Sequence, residues 1–367
     1  MDRPNRLALI GATALSGVAA VLGVVWLLGS LAGYYADPMH SVVGTLAGAT
    51  AANVLHTVAA LVGLAAGVAA LAGALPRRAV VVTAVAEVLV FGFALAGLST
   101  LSTVGYLVAM AMPVAVVVML VQVVRRYPVA RWTAGVPALL LLVVGVVVGR
   151  DSLVGLFGEL TPALVRELPN IGATLLLVGV GAAWAATAST ALSGSQPLER
   201  ATAWVVRHRV AITIAAACGP LPYALIRLTW LSPWPMFGQG VIDDLPTRIW
   251  GVVLSSGAWL GFALTLGLIR PWGEVFPRWM PGLAGRTVPV AAAAVPGGAI
   301  AAVLTFSAVP LLTMIPSDGV VQTLASAVLF PCWFWGPMLA LAVWGYVAHR
   351  RGVDGSLPEI PRVTSAA

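Results

Sequence analysis

Glu87 is the one acid placed deep inside an apolar run, AVVVTAVAEVLVFGFALAGL, with no cation close to it in sequence. A carboxylate in hydrocarbon is costly, so such a group faces the bundle interior or water, or carries a proton. Thr83 lies one turn earlier on the same helical face, within reach of a hydrogen bond. Two chemistries follow. Glu87 is either a proton-coupling or cation-binding carboxyl, or a neutral acid that locks two helices together. His56 comes next, on a helical face shared with Asn53 and Thr57 and continued by Gly63 and Gly67. At 1.5 Å of rise per residue, His56 lies roughly 28 Å and Glu87 roughly 12 Å from the same membrane face, so straight helices give no direct His–Glu relay. His56 is therefore either a polar packing residue near the opposite face or a second functional group.

Outside the runs, Asp243 and Asp244 end a loop that also carries Trp230, Trp234 and Phe237. Paired acids beside aromatic rings could gather a cationic solute by charge and cation–π contact. The plainer reading is a solvated loop with interface-anchoring tryptophans and a cap for the next helix. Arg227, just before the loop, either pairs with these acids or snorkels to the headgroups. His40, His208 and His349 lie in or beside loops, and the scattered histidines do not supply paired axial haem ligands. No metal site and no cofactor is expected. Cys218 and Cys332 have no CxxC or other ligand spacing and read as buried thiols. Walker A, HExxH and acid-cluster motifs are missing, and an intramembrane enzyme needs several polar groups at one depth. Catalysis is not expected.

These residues hang on a membrane chain. Hydrophobic residues make up 60% of the 367 and charged residues only 9%, against about 25% charge in soluble domains. On a ruler of about 20 apolar residues per span, the chain divides into Leu7–Gly33, Val54–Leu75, Ala79–Leu98, Gly105–Val124, Ala134–Gly149, Ile171–Leu192, Val210–Leu228, Ile249–Ile269, Val288–Ala308 and Val320–Ala348. This predicts an all-α, polytopic transmembrane helix bundle of about ten spans. Residues 1–351 form its single membrane domain, and 352–367 form a flexible tail. All twenty basic residues are arginine, and sixteen fall in alternate connections when the N-terminus is cytoplasmic. That positive-inside pattern predicts both termini inside, in a bacterial cytoplasmic membrane. The arginines come in twos and threes between spans, which suits lipid headgroups rather than nucleic acid. Arg150–Asn170, with Leu153, Leu156, Phe157, Leu160 and Leu164 at helical spacing, predicts a short amphipathic helix on the membrane surface.

Ten spans divide into five and five, and an odd number per half gives inverted halves, a transporter plan that places binding at interrupted helices. The candidate interruptions are Pro113 in span four, Pro296 with Gly297 in span nine, Pro220 in span seven, and Pro331 and Pro337 in span ten. Proline and glycine also merely kink membrane helices, so the repeat and the chance match both stand. Gly29–Gly33, Gly63–Gly67 and Gly257–Gly261 read as helix-packing faces.

The connection LIRPWGEVFPRWMPGLAGRTVP (Leu268–Pro289) is a polar elbow in which Glu274 lies four residues from both Arg270 and Arg278, a spacing for local ion pairs. Together with YALIRLTW (Tyr223–Trp230), this string resembles segments of uncharacterised multi-pass integral membrane proteins of bacteria with high-GC genomes. The resemblance covers about a fifth of the chain. It implies a membrane protein and carries no catalytic or binding residue with it. The expected function is a transporter-like permease for a small solute, with proton coupling through Glu87. The alternative is a membrane scaffold or accessory subunit that binds another membrane subunit and has no substrate.

Overall fold

The computed structural model describes residues 3–29, 33–103, 150–236, 245–278, 283–314 and 320–356, together with a few single positions between them. These residues form helices and one isolated antiparallel bridge, Val275 to Thr287, with no strand among them. Six stretches are long and apolar enough to cross a membrane: Arg6–Leu27, Ala49–Leu71, Val165–Ala191, Arg209–Thr229, Val290–Thr313 and Thr323–Gly352. The expected fourth and fifth spans, with Pro113, lie outside the described residues.

Two cores organise the helices. The first is built from α1 (Arg3–Leu27), the short α2 (Val42–Ala47), α3 (Ala49–Leu71), α4 (Arg77–Leu89) and α5 (Arg150–Ala191). Here α1 and α3 run antiparallel and close, because α3 presents glycine where α1 presents a small hydroxyl. A Cβ added at Gly63 would stand 2.8 Å from Ser16 Oγ, and one at Gly67 would collide with the Thr13 side chain. Small residues let helix backbones approach in lipid, where apolar side chains gain little by leaving the acyl chains. The α5 helix crosses beside them, donating from Trp184 Nε1 to Ser16 Oγ at 3.0 Å. Arg77, at the start of α4, donates to the carbonyls of Ala191 and Ser193, capping the last turn of α5. Thus α4 starts and α5 ends at one face, here called the arginine end. The chain leaves α4 and enters the apolar part of α5 at the opposite face.

The second core joins α6 (Gln196–Arg207), α7 (Arg209–Cys218), α10 (Val290–Phe306), α11 (Ala308–Thr313) and α13 (Cys332–Ser356); α8 (Leu221–Thr229), α9 (Leu245–Gly267) and α12 (Val320–Leu329) complete this half of the chain. Both α7 and α10 run antiparallel to α13. Gly345 of α13 packs on Val205 and Arg209, and Gly336 packs on Thr305 of α10. The elbow after α9 closes on itself through Phe276 N to Arg286 O at 2.9 Å and Val288 N to Glu274 O at 2.8 Å. It is tied to α13, where Tyr346 Oη donates to Gly273 O at 2.9 Å and Arg350 Nη2 to Val288 O at 3.2 Å.

Phe306 joins the two cores. It ends α10 buried, edge-on to Phe93 at 5.6 Å between centroids, against Gly92 and Gly181. The backbone of α4 widens into a single π turn over Val90–Ala94 at this point, a device found at packing and functional sites.

Several expected boundaries change. The third expected span ends as an α-helix at Leu89, and α1 ends at Leu27. Gly29 therefore sits in a turn with φ 67°, and the Gly29–Gly33 pair is not a packing face. The predicted surface helix at Arg150–Asn170 is instead the first part of the 42-residue α5, which runs through Pro162 and Pro169. A helix satisfies its own backbone, so extending one is cheaper in lipid than breaking it. The same reason carries α10 through Pro296 and Gly297, so this expected break is absent, and Gly297 packs against Val343 instead. Likewise Pro337 lies inside α13 without interrupting it. The chain does break at Gly219–Pro220, at Ser307 and at Phe330–Pro331. The first residues of the expected tail continue α13 to Ser356. Cys218, expected to be buried, is exposed on α7, whereas Cys332 is buried.

The notch at Gly92 makes a direct test. Gly92→Ala should lower unfolding free energy in detergent by about 1–3 kcal/mol through overpacking, and Phe306→Leu in the same chain should return part of the loss. A Gly92→Ala protein as stable as the parent would show that the joint is not close-packed.

Candidate functional site

Glu87 lies ten residues into α4 from Arg77, or about 15 Å along the axis from the arginine end. It is 2% exposed. Its carboxyl faces Gly63 of α3, where an added Cβ would stand 3.0 Å from both Cδ and Oε1. Ser16 of α1 flanks the same point, and its hydroxyl is held by Trp184 of α5. Four helices therefore meet around one carboxyl, and the absence of a side chain at Gly63 makes the room. Oε2 is buried and has no hydrogen-bond partner among the described residues. The ion pair between described residues joins His349 to Glu274, so no described cation pairs with Glu87. Thr83 is half-buried one turn away and makes no hydrogen bond to it.

A neutral acid serving as helix glue would use both oxygens on a neighbouring helix. Glu87 makes no hydrogen bond to a described residue, and its buried Oε2 without a partner costs free energy in either protonation state. That leaves the carboxyl able to take up a proton or an external partner. Glu87 and Ser16 alone supply too few oxygens for a metal ion, which asks for six or more ligands if it is calcium or magnesium.

His56 is a different case. It is fully buried. Its Nε2 lies 2.8 Å from Ala19 O, which can only accept, so Nε2 carries the hydrogen. Nδ1 then accepts from Tyr35 Oη at 2.9 Å. Trp26, Tyr35 and Phe91 surround the ring at centroid distances of 5.4, 5.8 and 5.5 Å. Burial pushes the phenols of Tyr34 and Tyr35 above the ordinary tyrosine range, so both remain donors at working pH. Tyr34 in turn bonds Thr174 Oγ1 at 2.8 Å and stacks on His40, whose Nδ1–H donates to Tyr34 O. His56 is thus a satisfied structural histidine that fixes the Tyr34–Tyr35 turn onto α1 and α3. It stands roughly two helical turns from the Gly63 level, apart from Glu87. Asn53, one turn earlier, is half-buried with Oδ1 unpartnered among the described residues.

The outer-loop candidates do not assemble here. Asp243, Asp244 and Phe237 lie outside the described residues. Trp234 is 81% exposed. Arg227 stacks over Trp230 at 3.8 Å and Tyr223 at 5.1 Å, a double cation–π contact, and makes no ion pair with a described residue. Pro220 does mark a break, where Gly219 packs on Trp335 of α13. Glu274 is 3.8 Å from His349, so its described partner is on α13 rather than its local arginines.

Ser16 and Trp184 are the site residues that the sequence left unmarked. Thr13 and Ser16, at i and i+3 on α1, are the faint signal, a small-polar face like that of α3. No family model matches the chain, and neither a curated protein nor a solved structure matches it.

Removing the tyrosine hydroxyl tests the structural assignment. Tyr35→Phe leaves His56 Nδ1 buried and unpaired, and should cost about 1–3 kcal/mol of stability, read as a lowered melting temperature in detergent. An unchanged melting temperature would mean that the hydrogen bond does not form.

Proposed function

We propose that this chain is a transporter-like permease for a small solute, coupled to protons through Glu87. One observation carries the reading: a buried carboxyl enclosed by α1, α3, α4 and α5, with an unmatched oxygen and no described cation paired with it. Such a group is relieved by a ligand that arrives from outside, and a proton is the ligand that fits its sparse oxygen shell, because it removes the charge that burial penalises. Ser16, Gly63 and Trp184 are the described neighbours from the surrounding helices, and none of them titrates. The interruptions at Gly219–Pro220, Ser307 and Phe330–Pro331 supply the discontinuous helices on which solute sites are built.

The finer topology belongs to the same proposal: ten spans, both termini cytoplasmic, in a bacterial cytoplasmic membrane. The arrangement of α4 and α5 supports an even number of crossings between them, which the two expected spans supply. An inverted five-plus-five plan has to accommodate α5, the expected sixth span, inside the first core.

The second reading, a scaffold or accessory subunit without a substrate, draws support from the hydrogen bonds of His56, Tyr34, Tyr35 and Trp184, all of which tie one segment to another. It predicts a stoichiometric partner on detergent extraction.

A cysteine scan separates the two. With Cys218 and Cys332 replaced, Glu87→Cys should react with a membrane-impermeant thiol reagent from one side, because a coupling carboxyl needs water access. Any flux assigned to the protein should lose its pH dependence in Glu87→Gln. Folded protein with no labelling from either side and no change in pH profile would discard proton coupling and favour the scaffold.

A further inference from the structure

We infer that the start of α7 and the end of α13 form a binding site for the phosphate group of an anionic phospholipid. The inference goes beyond the permease reading and does not depend on Glu87. Arg209 opens α7, and its guanidinium makes no hydrogen bond or ion pair among the described residues, with Nη1 fully buried. It is held in place by packing against Gly345, one turn before His349 and Arg350 on α13. Arg350 is buried and already oriented, donating to Tyr346 Oη at 3.2 Å and to Val288 O at 3.2 Å. The acid in this group is Glu274, and it faces His349. Two guanidinium groups against one carboxylate leave the cluster short of negative charge. Arg209, half-buried as a whole, is the member whose guanidinium has no described partner.

A phosphate oxygen pair matches the planar fork of an arginine, and basic pockets between membrane helices take anionic headgroups in this way. The surroundings select a lipid over a free anion. Trp204 precedes Arg209 by little more than a turn, is 53% exposed, and stacks on His208 at 4.6 Å. An exposed indole beside an apolar surface marks the headgroup level. Beyond Arg209, Val210 and Ile214 are 51% and 47% exposed at i, i+4 spacing on α7. They form a track along which acyl chains can lie while the phosphate sits on Arg209.

The test is native mass spectrometry of the delipidated full-length protein in detergent, titrated in parallel with phosphatidylglycerol, with phosphatidylcholine of the same chains, and with inorganic phosphate. Wild type should retain one phosphatidylglycerol with a preference of roughly tenfold over phosphatidylcholine, the scale of one charge-assisted contact. In Arg209→Gln the preference should vanish, whereas Arg166→Gln, an exposed arginine on α5, should keep it. Equal preference in wild type and Arg209→Gln overturns the site. Retention of inorganic phosphate without any lipid preference overturns the lipid assignment in favour of a free anion. Wild-type protein provides a second measurement that needs no variant to fold. Phosphatidylglycerol with a photoreactive acyl chain should crosslink within residues 204–214, and crosslinks found only elsewhere also overturn it.

Discussion

The distance between α1 and α3 governs the first half of this molecule. Gly63 and Gly67 bring the two backbones together, and everything polar in that bundle is arranged around the resulting seam. Thr13 and Ser16 fit against glycine, Trp184 reaches Ser16 from α5, and Glu87 occupies the space that a side chain at Gly63 would fill. In water such hydroxyls would be indifferent to position. In hydrocarbon each needs a protein partner, so the seam fixes the register of α1, α3 and α5 together. Glu87 departs from this order, since its buried Oε2 has no described partner; nor has Asn53 Oδ1, elsewhere on α3. The contrast is with His56, whose two ring nitrogens are both hydrogen-bonded.

The second half is organised differently. Its helices are interrupted rather than seamed. The interruption at Gly219–Pro220 packs on Trp335, whose neighbour Gly336 meets Thr305 two residues before the break at Ser307. Phe306 then carries that region into the notch at Gly92 and Gly181. A chain of packed side chains thus runs from the broken helices to the π turn that immediately follows α4. Any movement of α10 against α4 has to pass through this ring. A continuous helix turn at Gly92 would place a different backbone surface there, which gives the π turn a packing reason.

The elbow after α9 does more than bridge two helices. It presents the carbonyls of Gly273 and Val288 to Tyr346 and Arg350, so it is tied to α13 and holds one guanidinium in place. Arg209, in the same cluster, keeps donors without a described partner. Two neighbouring arginines thereby acquire different roles from the same loop.

Composition alone established that the chain is a membrane protein, because a charge content of 9% cannot cover a soluble surface. Glu87 was legible for the same reason: a lone acid in an apolar run stands out without any structure. The glycine spacing on α3 correctly marked a packing face, since a three-and-four-residue period lands on one side of a helix. Proline was a poorer guide. Pro220 and Pro331 mark breaks whereas Pro162, Pro169, Pro296 and Pro337 lie within helices. The cost of a lost backbone hydrogen bond depends on what neighbouring helices can return, and that is not written locally. Tertiary structure alone decided that His56 is satisfied, that Glu87 Oε2 has no described partner, and that Arg227 stacks over Trp230 and Tyr223. His56 finds its two partners 21 and 37 residues away in sequence, and Ser16, beside Glu87, is held from 168 residues away. Such partners meet only when the helices pack. Residue type sets what a group needs, but packing sets whether it is met.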